Sequence, residues 1–300
     1  IKKTKDLLTT GTPPLEAGNT ATTVNAGDVE NRGFEFELTY RNKVGDFNYS
    51  VGANVATLHN EVTYMNPNSP YLTGATVNLE TSTRFDKGHP IWYFYGYKTA
   101  GVNPKNGQTI FVNAAGDTTS TVSSADKQYL GSGIPKITYG FNIDLSYKGF
   151  DFKAFCQGAA GQDIMLGMVR TDRLNFNKLQ VYFDNRWTPT NTTASMPAAN
   201  CSSNTWHSDM LIFKGNYLKI KQIQIGYTLP KDIISKIKVS NARIYISVEN
   251  LYTFTKYPGS DPEVGSNAVT AGTNYINSIG IDRGMYPNSR TVIFGASITL

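Results

Sequence analysis

The chain has no run of about 18 consecutive apolar residues, so no helix in it can cross a bilayer. Charge is scarce: 17% of residues are charged, and the net +5 is spread out, with no basic run longer than Lys2-Lys3. Nucleic-acid binding needs a clustered basic face, so that partner is excluded. Histidine occurs three times, at His59, His89 and His207, without H-x-x-x-H or H-E-x-x-H spacing, and no G-x-S-x-G is present. Two cysteines, Cys156 and Cys201, form no CxxC and no metal-type pattern. Nothing here assembles a catalytic set, and no cofactor or metal is implied. The opening Ile1–Leu8 also lacks the apolar segment of a secretory signal, so either an export signal has been removed or the chain is a piece of a longer protein.

What the chain has instead is two-residue alternation in runs of about ten. Phe34, Phe36, Leu38 and Tyr40 alternate with Glu35, Glu37, Thr39 and Arg41. Ile137, Tyr139, Phe141, Ile143, Leu145 and Tyr147 alternate with Thr138, Gly140, Asn142, Asp144 and Ser146. Val292, Phe294, Ala296, Ile298 and Leu300 alternate with Thr291, Ile293, Gly295, Ser297 and Thr299. Successive strand side chains point to opposite faces, so each run carries one apolar and one polar face. About ten residues is the length a tilted strand needs to span a bilayer, and a spanning chain without helices must close as a barrel. The pattern predicts an all-β, antiparallel transmembrane β-barrel wall.

Ten strands are predicted, at 1–8, 33–41, 47–58, 91–102, 108–113, 136–148, 150–158, 215–229, 242–251 and 290–300. Short connections (42–46, 103–107, 148–149, 230–241) alternate with long ones (9–32, 59–90, 114–135, 159–214, 252–289). Outer-membrane barrels show this asymmetry, with tight periplasmic turns and long extracellular loops. A soluble sandwich has no reason to gather every long connection at one end. One strand breaks parity: Leu218 and Ile220 share a face, while Ile223, Ile225, Tyr227 and Leu229 take the other. That predicts either a bulge near Lys221-Gln222 or an upper stretch standing clear of the membrane.

Rings are dense, with 18 Tyr, 15 Phe and 3 Trp, and Ile91–Tyr97 is the strongest cluster. It reads as an interfacial aromatic girdle or as a platform for stacking sugar rings. Trp187 and Trp206 fall in a long predicted loop where a girdle role is less available. With Asp209 and Tyr257, they are the candidate substrate contacts. Cys156 and Cys201 read as free thiols or, in an oxidising compartment, as a pair closing a loop of roughly 45 residues worth about 4 kcal/mol.

A set of collinear segments carries a family resemblance. They are Asn31-Arg32-Gly33-Phe34-Glu35, Gly88-His89-Pro90 leading to Tyr95-Gly96-Tyr97-Lys98, Pro135-Lys136-Ile137-Thr138-Tyr139-Gly140 and Arg186-Trp187-Thr188-Pro189. Tyr217–Lys221 running to Gly226–Pro230, Glu249-Asn250-Leu251, Thr255–Gly259, Asp261-Pro262-Glu263 and Tyr286-Pro287 follow. Together they resemble the SusC-like TonB-dependent transporters of Bacteroidetes over essentially the whole chain. The resemblance implies that residues 1–300 are the carboxy-terminal portion, about ten strands, of a 22-stranded barrel whose plug is not in this chain. It also implies a SusD-like surface lipoprotein as partner, with TonB acting through the plug, and an oligosaccharide or oligopeptide as ligand. The setting it implies is the outer membrane, with its lipid around the wall and the long loops extracellular. Incompleteness rests on the resemblance alone, since a closed ten-strand barrel is geometrically possible.

Two departures stand out. Many family members carry an acidic, calcium-like loop where this chain has Asn113–Ser120 with one Asp, too few carboxylates for a hard cation. Family barrels typically end on an aromatic residue, and this chain ends on Leu300. Two other functions compete with import. A self-contained surface hydrolase would need His207, Asp209 and Asp261 to converge. A soluble carbohydrate-binding sandwich would explain the rings but not the alternating connections. Around Asp261-Pro262-Glu263, the prolines Pro258 and Pro262 read as loop rigidity ahead of acid–base chemistry.

Overall fold

The structure is a computed structural model and describes residues 1–11, 22–168, 179–234, 239–265 and 275–299. Seven long strands form one antiparallel sheet: β1 (Glu35–Val44), β2 (Phe47–Thr57), β3 (Ile137–Tyr147), β4 (Phe150–Ala160), β5 (Tyr217–Thr228), β6 (Asn241–Thr255) and β7 (Thr291–Thr299). Each pairs with its neighbour in sequence, so the sheet is a meander from β1 to β7. Residue 300 lies outside the described residues, and with it the reading of Leu300.

Pairing carries the sequence alternation across the whole sheet. Tyr40, Val51, Ile143, Ala154, Ile223, Val248 and Val292 stand side by side on one face. One register position away, Arg41, Ser50, Asp144, Lys153, Gln224 and Ser247 form a polar row on the other, which Ile293 ends. Among the described residues, none buries the apolar face: Phe36, Leu38 and Phe294 are exposed, Phe294 by 79%. An exposed apolar face of this extent on a sheet needs a non-aqueous covering.

The predicted parity break is a β-bulge. Lys221 has no partner on either side: β4 pairs Phe155 with Gln222 and then Cys156 with Ile220, while on β6 the same step runs from Glu249 to Tyr252, with Asn250 and Leu251 between. The extra residue moves Leu218 and Ile220 back to the apolar face. It also leaves Lys219, Lys221 and Gln222 on the polar side within four residues.

Connections at one end of the wall are short. At residues 148–149, both Lys148 and Gly149 have positive φ (47° and 89°), the two-residue hairpin geometry that matches strand twist. A side chain at 149 would also come within 2.8 Å of the Thr228 carbonyl oxygen. Rings gather on the apolar face at this end: Phe150 lies 4.5 Å from Tyr227 and Phe47 lies 6.5 Å from Tyr147. Tyr252 and Phe254 pair at 4.7 Å toward the other end.

Three long connections, 58–136, 161–216 and 256–290, leave the opposite end and pack on one another. Asp163–Leu166 from the second pairs in parallel with Ile281–Asp282 from the third. Tyr97 of the first bridges Ser208 of the second, and Thr83 Oγ1 donates to the Asn277 carbonyl at 2.7 Å. A shared core holds Val77 and Phe94 from the first connection, Ile164, Leu166, Tyr182 and Leu211 from the second, and Tyr257 and Ile281 from the third. The long loops thus form one cap with its own core.

The strand expectation needs correcting in detail. Seven of the ten predicted strands make the wall, while Lys2–Gly11 pairs with Thr22–Arg32 in an adjoining sheet. The segments predicted at 91–102 and 108–113 do not enter the wall; they break into Tyr93–Gly96, Lys98–Val102 and Thr109–Val112 inside the cap. The ring cluster at 91–97 is therefore not on the wall's apolar face. Phe94 is fully buried, and Tyr93 lies against His89 and Tyr129.

Candidate functional site

The polar face of the wall is where chemistry concentrates. A recess of about 700 Å3 on it is bordered by Glu35, Glu37, Asn54, Thr138, Phe155, Gln157 and Tyr217. Phe155 is 42% exposed there, an aromatic ring standing on a face of amides, hydroxyls and carboxylates. Nearer the turn end, Asp151 on β4 accepts two hydrogen bonds from Arg243 on β6, and Asp144 lies 3.6 Å from Lys153.

At the loop end, the polar face carries a dense ionic cluster. Lys219 Nζ donates to both carboxylate oxygens of Asp261 at 2.9 Å and to Glu263 Oε2 at 2.6 Å. Lys221 reaches the same Oε2 at 2.9 Å, Gln157 Nε2 donates to Oε1 at 2.7 Å, and Asn288 Nδ2 donates to Oε2 at 3.2 Å. Burial raises the pKa of Glu263, but the bonds from Lys219 and Lys221 overcome it and hold the carboxyl below its ordinary range. Lys219 itself is 1% exposed, an ammonium that needs both carboxylates to tolerate burial. The two acids of this segment are bound to wall lysines.

The sequence-predicted contacts go elsewhere. Tyr257 is buried in the cap core with its hydroxyl donating to Asp282 Oδ2 at 2.6 Å; burial, then that carboxylate, push its pKa far up. Trp206 packs against the same core, edge-on to Tyr182 at 5.7 Å. Asp209 accepts from Thr99 N at 3.1 Å and Thr99 Oγ1 at 2.6 Å, tying the second connection to the first. Trp187 donates from Nε1 to the Pro104 carbonyl at 3.0 Å. Tyr257 and Trp206 meet in one core, while Asp209 and Trp187 each join two connections.

The acid and base residues weighed for hydrolysis have separate partners: Asp261 binds Lys219, Asp209 binds Thr99, and His207 lies near Glu80 and Lys127. Both thiols are free, Cys156 in the apolar register between Phe141 and Ile220 and Cys201 in the second long connection. In the Asn113–Ser120 window, Asn113 Oδ1 accepts from Ala115 N and Asp117 N, and Asp126 Oδ1 accepts from Ala114 N. Among the described residues, no three His, Cys, Asp or Glu side chains gather as a metal set.

Sequence reasoning missed Phe155, Gln157, Lys219 and Lys221 as a group. The signal was present for the lysines: they alternate with Leu218 and Ile220, so they share a polar face.

A two-faced antiparallel wall with tight turns at one end and a folded cap at the other defines a segment of an outer-membrane-type β-barrel. No family model matches the chain. It is 31% identical to TonB-dependent receptor P3 of Formosa agariphila over 99% of its length, and 27% identical to TonB-dependent receptor SusC of Bacteroides thetaiotaomicron, again over 99%. It covers 31% and 29% of those two proteins, so the chain spans about a third of the length of the curated relatives it matches. The solved structure of the RagAB peptide transporter shares the fold with a TM-score of 0.77 at 24% identity, covering 99% of this chain and 32% of that one. The RagAB peptide importer in its open-open state superposes at 0.79 and 23% identity, with the same coverage. Over almost its whole length the chain is similar to SusC-like TonB-dependent receptors, and its fold is that of a stretch of such a β-barrel.

Proposed function

We propose that residues 1–300 are the carboxy-terminal portion of the barrel of a TonB-dependent importer, carrying an oligomeric nutrient, a glycan or a peptide, across the outer membrane. The observation that carries this is the wall itself, with exposed apolar rows on one face and polar rows on the other, Glu37, Asn54, Gln157 and Lys219 in one register; in this reading the first face meets lipid and the second lines the path. In this reading the cap is extracellular and meets a SusD-like lipoprotein, the plug belongs to the rest of the same transporter, and TonB acts through that plug. The chain works by positioning and passage and is not an enzyme; its named relatives are receptors and transporters.

Intact mass spectrometry of the native complex from outer membranes tests this. The expected result is one polypeptide carrying this chain, a plug and the remaining strands of a barrel of about 22, together with a lipoprotein. A heat-modifiable barrel travelling alone at the mass of these 300 residues would overturn it.

A further inference from the structure

The segment leaving β6 is attached at two places of opposite chemistry. At Tyr257 it enters the cap core, and Tyr257 N donates to Thr255 Oγ1 at 3.1 Å. Six residues on, at Glu263, it lies on the polar face of the wall, held by Lys219, Lys221 and Gln157. Asp261 Oδ1 accepts from Glu263 N at 2.9 Å, a turn that brings both carboxylates to Lys219, with Lys221 meeting Glu263 alone.

These attachments answer differently to opening. Parting the cap core would put Ile164, Leu166 and Tyr257 into water, a cost proportional to apolar area. Parting the wall attachment exposes groups that are polar on both sides. Lys219, Lys221 and Gln157 stand on the polar face, so water replaces the carboxylates as they leave. A buried ion pair of this kind nearly breaks even against its hydrated partners, while fixing geometry closely. The β-bulge supports the arrangement by putting Lys221 beside Lys219 on the polar side, where Glu263 takes both.

We propose that Asp261 and Glu263, closed on Lys219 and Lys221, are a polar latch. It is the joint at which the loop cap disengages from the polar wall while the cap's own core stays folded. The latch serves the same purpose whichever molecule the polar face carries.

Hydrogen–deuterium exchange on the full-length protein in nanodiscs tests it, comparing wild type with the Asp261→Asn/Glu263→Gln double variant. The expected result is exchange at least about tenfold faster in the 255–265 peptide, which contains the Glu263 amide, with 163–167 and 281–284 at wild-type rates. Unchanged exchange at 255–265 overturns the latch. Equal acceleration in all three peptides also overturns it, because the cluster is then a staple for the whole cap. Glu263→Gln alone, which keeps the side-chain shape and an acceptor for Gln157, covers the case in which the double variant fails to insert. It should show the same local pattern at smaller amplitude, and wild-type rates there would again overturn the proposal.

Discussion

Arg243 and Asp151 are two strands apart and are joined across the strand between them, with Nε to Oδ1 at 2.9 Å and Nη2 to Oδ2 at 2.6 Å. The bond crosses Gly226, where a Cβ would stand 2.4 Å from Arg243 Nη2 and 2.5 Å from Asp151 Oδ1. The glycine is the gap through which β4 and β6 are tied over β5. Gly226→Ala and Asp151→Asn are each expected to cost about 2 kcal/mol, the range of a charged hydrogen-bonded pair losing a partner. Both act on one bond, so the double variant should cost little more than either single one. Urea unfolding of the full-length barrel in micelles measures all three.

Deleting Lys221 removes the bulge. Ile220 then stands directly beside Gln222, in step with Cys156 and Phe155 of β4, and both faces are kept; deleting Gln222 as well slips Tyr217–Ile220 by one position against β4, turning Leu218 and Ile220 to the polar face and Lys219 to the apolar one. A lysine on the lipid face costs up to about 2–4 kcal/mol near the midplane. The double deletion is expected to abolish heat-modifiable barrel in the outer membrane, whereas deletion of Lys221 alone should retain it; gel mobility without boiling reads both.

Tyr257→Phe leaves Asp282 buried without its hydroxyl donor, though Gly284 N still donates to the other oxygen at 2.8 Å. A loss of about 1–3 kcal/mol in cap stability is expected. Trp206→Ala, which opens space beside Tyr182, should also loosen the cap. Exchange protection of 163–167 measures each, and protection at wild-type level in both variants would show that the rings serve something other than the core.

Burial holds the pKa of His207 below its usual value, against the pull of Glu80 and with Lys127 adding to the depression. The folded cap therefore prefers the neutral ring. Its contribution is fully present above the unfolded value, about 6.5, and is lost as pH falls from there through the depressed folded value. Cap protection should weaken between pH 7.5 and 5.5, and His207→Asn should flatten that dependence. Exchange rates of the peptide around residues 203–211 at the two pH values are the measurement.

Alternation was enough to find the wall, because lipid on one side and polar contents on the other impose a period of two on every strand. Phe36, Leu38 and Tyr40 announce β1 without reference to anything distant. The bulge was legible for the same reason, as a parity change inside one strand. The 91–102 stretch misled because Tyr93 and Phe94 are consecutive and both buried, the mark of a segment covered on both faces. Its aromatic residues suggested a girdle or a sugar platform, whereas they pack the cap. The Lys219 cluster escaped because its parts lie far apart in sequence: Asp261 is 42 residues from Lys219, and Glu263 is 106 from Gln157. Only the folding of one long connection onto the wall brings them together.

The fused cap also bears on how such a protein can change. Phe94, Leu211 and Ile281 come from three different hairpin connections and share one interior. A loop transplanted singly from a relative would arrive without the surfaces it must fit, so this end is inherited, and has to be redesigned, as a block of three.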